Sequence, residues 1–526
     1  MANIAFYGSH NAAVAVEQNG KVLTVIEIER FLSQKNAGYG QYLISYTRPF
    51  LLKYVLDYIY RVYGIKKYDT CYYQNTDTIE DGVKVHYEKL IPAKNYINCL
   101  HHYSHAASGF YQTNYNEALI ISYDGGGNDG FFNIYHAKDR DNIECLYKEV
   151  LDLGFPYMIF GQYLEDIKFE PGLNIGNLVY SGKLMGLCSY GKVNKDWLPH
   201  FKKFYTEKPD GNNYIELLEK LSEETKLKFD TRDRLKEQVA YDVAATSQKA
   251  FEEIFFKFAD PYIKKFNKLP IILVGGCALN IILNSKIRSK YDTEVFVPPN
   301  PNDCGLASGM ILDHIKPKKA IDLTYSGTEV LDKDRLMFYI ESKRGVKLNY
   351  EKVSKDLLEG SIIGCVKDRS EHGPRALGNR SILCNPGIKD MKDILNKKVK
   401  NREWYRPFAP VCKLEDVNKY FDFEGESRFM SFCPLVKKEW RKKLSSITHV
   451  DNTARIQTIT REQNEWLYDL LTEFEKHSGF GVLLNTSFNV NKKPILSSYA
   501  EAIEVFDKTE MDKLILEDYY LQWKHV

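Results

Sequence analysis

Two short apolar runs that end in glycines constrain this chain most. Ala118 to Tyr123 reads as a buried strand running into Asp124 and three glycines, and Ile271 to Val274 runs into Gly275-Gly276. Such a loop lets backbone N–H groups approach a phosphate and presents Asp124 at the strand end. A further apolar strand, Asn3 to Tyr7, opens the chain. It leads through a Gly8-Ser9-His10 turn into two alternating runs joined by Asn19-Gly20, a pair favoured in tight hairpins. Apolar residues three and four apart predict an amphipathic helix over Phe50 to Tyr63.

An opening hairpin followed by repeated strand-and-glycine units predicts an α/β actin-like ATPase (ASKHA) architecture, two related lobes with nucleotide between them. Around Lys318 to Asn349 the glycine motifs give out and the sequence becomes charged and irregular, which predicts a first domain over 1–340 and an α+β domain over 341–526. In the second domain, Ser361 to Val366 predicts a strand feeding EHGPRALGNRSIL (Glu371 to Leu383), and Gly481 to Leu484 a strand feeding Asn485. Arginine offers a planar donor fork to phosphate or carboxylate, and glycine admits close backbone approach, so EHGPRALGNRSIL reads as an anion-holding loop. Lys400, Arg402 and Arg406 in VKNREWYRPFAP, Arg455 in HVDNTAR and Asn485 in NTSFN follow within the next stretch. So many anion-binding groups in one region imply a phosphorylated ligand.

The 526 residues predict two or three domains, and 44% apolar content suffices for large cores. The net charge of +2 exerts no global pull toward nucleic acid or membrane. Ten scattered cysteines without a CxxC pair predict reduced thiols, with Cys188, Cys277, Cys304 and Cys384 as small buried residues. No secretory leader pattern and no uninterrupted spanning-length apolar segment occur in the sequence, so a cytoplasmic location is expected, or a host cytoplasm for a phage-encoded chain.

In HHYSH, His101 and His105 lie four apart and share a helix face, so they can hold one cation. With Asp124 and Asp303 they form a mixed nitrogen and oxygen set suited to iron(II), manganese or zinc, with positions open for nucleotide phosphates. His102 points elsewhere and is expected to be structural or to support the ligands.

EHGPRALGNRSIL, REWYRPFAP, HVDNTARIQT and LLNTSFNV resemble the C-terminal half of the ATP-dependent O-carbamoyltransferases, the family that decorates Nod factors and several antibiotics. GSHNAAVAVEQNGKVLTVIEIERF, HHYSHAASGFY, ISYDGGG, GKLMGLCSYG, VGGCALN and VPPNPNDCGLASG follow that family's order in the first half. The resemblance implies that residues 1–340 are similar to the tRNA-threonylcarbamoylation ATPase, and 341–526 to a YrdC-like carbamoyl-adenylate-forming domain. It places the metal on His101, His105, Asp124 and Asp303. His10 is implied as base for the acceptor hydroxyl, and Lys35 as a residue of the acceptor pocket. Lys183, Gly275, Gly276 and Asn280 are expected around the nucleotide, with Arg375 near its phosphates. Lys400, Arg406, Arg455 and Asn485 are expected on carbamoyl phosphate. ATP and carbamoyl phosphate are the implied substrates, with magnesium accompanying ATP.

Two departures stand out. The family usually has His-Asp where this chain has His10-Asn11, which disfavours a strongly cationic acceptor. The DGGGNDG run also leaves the family sequence after Asp124-Gly125. A small hydroxylated metabolite ranks ahead of a hydroxymethylated pyrimidine in nucleotide or DNA, because the near-neutral charge gives duplex DNA no support. By analogy with the family, a homodimer is the assembly to look for. The rival readings are a threonylcarbamoyl-type tRNA modification enzyme, a sugar kinase or chaperone-like ATPase, and a nonenzymatic nucleotide-binding scaffold. The C-terminal blocks speak against each.

Overall fold

Asn19 and Gly20 both adopt positive φ, 54° and 76°, the backbone of a tight hairpin turn matched to strand twist. They join β2 (Ala13–Gln18) to β3 (Lys21–Glu27), and β2 pairs antiparallel with β1 (Ala2–Tyr7). The computed structural model describes residues 2–35, 49–74, 88, 90–168, 178–207, 214–490 and 493–522. Beyond β1 lie the parallel strands β4 (Tyr68–Gln74) and β5 (Ala93–Asn98), giving the order β3-β2-β1-β4-β5.

The second sheet repeats this order. An antiparallel meander of β6 (Ala118–Gly127), β7 (Gly130–Asp139) and β8 (Asn142–Glu149) is extended beside β6 by parallel β9 (Ile271–Val274) and β10 (Val295–Phe296). Read from the meander outward it is β8-β7-β6-β9-β10, so the two sheets have the same topology, as expected for two related lobes. β6 continues past Tyr123, where the sequence suggested an end. Its pairing with β7 breaks between Tyr123 and Gly127, so Asp124 sits in an irregularity within the strand.

Helices bury both faces of the first sheet. Ile4, Phe6 and Val14 pack with Leu52, Val55 and Ile59 of α1 (Pro49–Tyr63), as the helical spacing predicts. The alternate residues Ala5, Tyr7 and Ala13 pack against Leu306, Ala307 and Met310, on the helix Leu306–Ile315. The second sheet packs Ile120, Ile272 and Val274 against Ala106, Ala107 and Phe110 of α2 (His101–Tyr111).

A third sheet has the order β11-β18-β17-β12-β13-β16-β14-β15. Its strands are β11 (Val346–Lys347), β12 (Ile363–Val366), β13 (Arg380–Cys384), β14 (Ala409–Lys413), β15 (Gln457–Ile459), β16 (Val482–Ser487), β17 (Lys513–Leu516) and β18 (Tyr519–Leu521). Asn485 therefore lies inside a strand rather than after one, because β16 is central and pairs on both sides with β13 and β14. The stretch expected to be irregular contains a helix, Leu336–Ser342, and the edge strand β11, whose two exposed residues carry no apolar alternation to read. Of the four cysteines expected to be buried, Cys188, Cys304 and Cys384 are, and Cys277 is half-buried; all ten are free thiols. No described helix is long and apolar enough to cross a membrane.

The β12–β13 connection, residues 367–379, carries the arginine loop back against the first lobe. Buried Arg30 donates to the carbonyls of Glu371 (2.6 Å) and Gly373, and Glu27 accepts from the Gly373 N–H at 2.9 Å. Burial pushes the Glu27 carboxyl up from 4.5 to about 7, against the opposing pull of Arg30 and the Gly373 N–H. A raised carboxyl contributes stability below its ordinary pKa and loses it as pH rises through the folded value. Glu27→Gln keeps an acceptor for Gly373, so its thermal midpoint relative to wild type is expected to rise between pH 4.5 and about 7. Parallel midpoint curves would contradict this.

Candidate active site

α2 opens without a side-chain cap of its own. Asn128 and Asp129 from the β6–β7 turn supply it: Asn128 Oδ1 accepts from the His101 N–H at 2.9 Å and Asp129 Oδ1 from His102 at 2.8 Å. This fixes the first turn, so that the side chains of His101 and His105 share one face. Asp124 is anchored by the N–H of Gly125 (2.7 Å) and of Gly276 (2.5 Å). Asp303 lies just before the helix Leu306–Ile315, against β1.

The four side chains converge, with one potential ligand atom from each lying within 4.8 Å of the others. His105 Nε2 is 3.4 Å from both Asp124 Oδ2 and Asp303 Oδ1, and His101 Nε2 is 3.9 and 3.7 Å from the same atoms. His101 Nε2 and both His105 ring nitrogens are buried without a hydrogen-bond partner. Buried polar atoms are ordinarily paired, so orphaned imidazole nitrogens facing two carboxylates fit a cation held between them. Gln74 Oε1, 3.4 Å from His101 Nδ1, favours the tautomer that leaves Nε2 facing the carboxylates. Burial alone would lower His105, but Asp124 and Asp303 outweigh it and raise it from 6.5 to about 9. Burial would likewise raise Asp124, yet the two histidines hold it well below the usual carboxylate range. His102 bonds Ser122 Oγ and the Gly130 carbonyl instead, and burial, then His101, push it down to about 3.

Asp303 also faces the opposite way. Its Oδ2 accepts from the Tyr7 hydroxyl at 2.6 Å and lies 3.3 Å from His10 Nδ1. His10 is half-buried, and Asn11 beside it adopts φ 58° with Oδ1 3.3 Å from the same nitrogen. Sequence reasoning missed Tyr7, since β1 is buried on both faces and has no polar alternation to mark it.

Gly275 has φ 92°, and a Cβ there would meet the Tyr123 carbonyl at 2.2 Å, so the turn beside Asp124 requires glycine. Asn280 is buried and serves as N-cap of the helix Ile281–Lys290, accepting from Leu283 N–H at 3.0 Å, while its amide donates to Gln248. A small cleft is lined by Ala278, Leu279, Pro299, Arg375 and Phe429, so Arg375 lies near the residues that follow this turn. Lys183 lies on the helix Val179–Leu187. It forms a buried ion pair with Glu403 at 2.9 Å, next to the second anion region.

That region gathers Lys400, Arg402, Arg406, Arg375 and Arg455. Burial, then Arg402, Arg406 and Lys35, pushes Lys400 well below its usual value. Burial, then Arg375, Arg402 and Arg406, does the same to Arg455, and Arg375 is lowered to about 10 by burial and Arg406. Lys400 Nζ is held by Ser487 and Asn489, including Ser487 O at 2.7 Å. Arg406 reaches Glu403 at 3.4 Å. Among the described residues, neither Arg375 nor Arg455 has a hydrogen-bonded or ion-paired acceptor. Asn485 donates to Gln457 (2.7 Å) and to the Ala376 carbonyl, and its buried Oδ1 has no partner. Lys35 is exposed, and its charge acts on Lys400, which sets it beside this cluster. Glu403 was overlooked, although it is the one acid among the cations of VKNREWYRPFAP.

Comparison with known proteins assigns both halves of the chain to one family. The chain matches the carbamoyltransferase N-terminus over residues 53–312 and the carbamoyltransferase C-terminus over 354–523. It is 34% identical to nodulation protein NolNO of Sinorhizobium fredii, covering 80% of this chain and 63% of that protein. It is 32% identical to NolO of Bradyrhizobium diazoefficiens, covering 79% and 77% respectively. The 3'-hydroxymethylcephem-O-carbamoyltransferase of Streptomyces clavuligerus is 34% identical over 51% of each chain. The chain belongs to the carbamoyltransferase family, a family of transferase enzymes.

Metal binding at the histidine pair predicts that saturating Mn(II) raises the thermal midpoint of the wild-type protein; occupancy at about 100 times Kd corresponds to about 2.7 kcal/mol. His105→Ala is expected to abolish the increase, as measured by calorimetry of apo protein with and without metal. An equal increase in the variant would place the ion elsewhere.

Proposed function

We propose that this protein is an O-carbamoyltransferase that uses carbamoyl phosphate and ATP in two steps. The observation that carries this reading is the cationic cluster with two arginines that have no acceptor among the described residues, on the same chain as a convergent His/Asp set. Residues 341–526 would act as the YrdC-like carbamoyl-adenylate-forming domain, and 1–340 as the unit similar to the tRNA-threonylcarbamoylation ATPase.

In the first step Lys400, Arg406, Arg455 and Asn485 hold carbamoyl phosphate, and water cleaves it to carbamate and phosphate. The cations offset the charge that develops on the departing phosphate. A carbamate oxygen then attacks the α-phosphorus of ATP, near Arg375, displacing pyrophosphate and leaving carbamoyl-adenylate. Arg375 lines a small cleft with Ala278 and Leu279, which follow the Gly275 turn, and on this reading the labile adenylate passes between lobes without release to water.

In the second step His10 takes the proton of the acceptor hydroxyl. The hydroxyl oxygen bonds to the carbamoyl carbon as the bond to AMP breaks, giving an O-carbamoyl ester and AMP. Asp303 supports His10 by holding its Nδ1 side, leaving the other nitrogen to face the acceptor. A divalent ion held by His101, His105, Asp124 and Asp303 would supply Lewis-acid polarisation of the mixed anhydride. Asn11 beside His10 suits a neutral or anionic acceptor, with small hydroxylated metabolites first. We further propose a cytoplasmic homodimer.

The reading predicts pyrophosphate release from ATP that depends on carbamoyl phosphate, and AMP formation with a gain of one carbamoyl group on an acceptor from a hydroxylated-metabolite panel, followed by mass spectrometry. His10→Ala is expected to reduce acceptor modification by about 100-fold or more while sparing pyrophosphate release. Arg455→Ala is expected to impair pyrophosphate release itself. Release that ignores carbamoyl phosphate would remove the two-step reading.

A further inference from the structure

The loop that carries Arg375 does more than present an arginine. His372, three residues earlier, is fully buried, and its Nε2 lies 3.0 Å from the carbonyl of Cys304, the residue after Asp303. Only a donor can satisfy a carbonyl, so Nε2 carries the proton and Nδ1 is left as acceptor. Nδ1 has a donor to match in Asn300 Nδ2 at 3.3 Å, while the nearby Ser326 hydroxyl gives its proton to the Leu323 carbonyl at 2.8 Å. Burial holds the ring neutral, lowering its pKa from 6.5 to about 4, in keeping with a fixed tautomer.

The same loop is seated from two further directions. Gly373 has φ 124°, and a Cβ there would meet the Pro299 carbonyl at 2.0 Å, so backbone touches backbone. Arg30 binds the carbonyls on either side of His372, those of Glu371 and Gly373. Asn300, itself fully buried, also bonds Ser308 Oγ at 3.0 Å and lies 3.4 Å from Ser108 Oγ on α2, the helix of the histidine pair. The turn bearing Asp303 and the loop bearing Arg375 thus meet at one imidazole, and Asn300 connects it to the histidine helix.

We infer that His372 is a positioning residue for both half-reactions, joining the turn that holds Asp303 to the loop that holds Arg375 through its Nε2–H bond to Cys304. This inference rests on the proposed assignment of the two sites and deepens it. His372 does not touch either ligand. It fixes the relative placement of a metal-binding carboxylate and a phosphate-binding guanidinium that lie on different sheets' connections, where a displacement of a fraction of an ångström degrades both.

The test uses two amides that each reproduce one ring nitrogen. In His372→Gln the amide can reach Cys304 and replace Nε2–H. In His372→Asn it can occupy only the Nδ1 position. Full-length variants of confirmed thermal midpoint are titrated with Mn(II) alone and with ATP alone by calorimetry. The glutamine variant is expected to bind both within about threefold of wild type, and the asparagine variant to weaken both by about tenfold or more. A purely structural role would lower the midpoint of the asparagine variant and leave both affinities unchanged, which would overturn the inference. Loss of only one affinity would overturn the joint role. Should the wild-type protein bind neither probe, the site assignment beneath the inference fails instead, and the two failures are told apart by that control.

Discussion

A cluster of five cationic side chains with few opposing carboxylates sets the terms for the rest of this protein. Burial and neighbouring cations push Lys400, Arg402, Arg375 and Arg455 down, while Glu403 pairs with Arg406 and with Lys183. Like charges under partial burial repel strongly, so each must be held mechanically. Lys400 is tied to the end of β16, and Arg402 is braced by Asn396, the Pro407 carbonyl and the face of Phe408. Among the described residues Arg375 and Arg455 have no protein acceptor, so an anion brought there would meet donors already in place and relieve the repulsion.

The His/Asp site is built on the opposite principle, with carboxylates and imidazoles waiting for a cation. Its position follows from the duplicated topology. β1 and β6 are the corresponding first strands of the two sheets; Tyr7 and His10 lie at the end of one, and Asp124 lies in the other. Asp303 turns one oxygen to the histidine pair and the other to Tyr7 and His10, so a single carboxylate links cation binding to the group proposed to handle the acceptor proton.

Much of this was legible in residue order because local chemistry writes it there. Asn19-Gly20 announces its turn through a backbone conformation few other pairs adopt, and the helix over Pro49–Tyr63 announces itself by spacing. The four convergent donors could be named from HHYSH and two aspartates, since imidazole and carboxylate chemistry travels with residue type. Long-range roles could not be read this way. Asn280 and Lys183 were expected around a nucleotide, and the sequence did not show that Asn280 also caps a helix or that Lys183 pairs with Glu403. Asn485 looked like the residue after a strand and is inside one, because strand length is set by neighbours on both sides.

By itself the sequence determined which chemical groups are present, where the short strands and tight turns fall, and that anion-binding and cation-binding sets are both encoded. Those properties depend on residue type and on neighbours within a few positions. Only the tertiary structure decided that Arg30 and His372 seat the arginine loop against the first lobe, that Tyr7 and His10 share Asp303, and that Arg375 and Arg455 have no acceptor among the described residues. Each of these depends on groups tens to hundreds of residues apart meeting at hydrogen-bond distance. That outcome is set by how three sheets pack, and no local pattern in the chain records it.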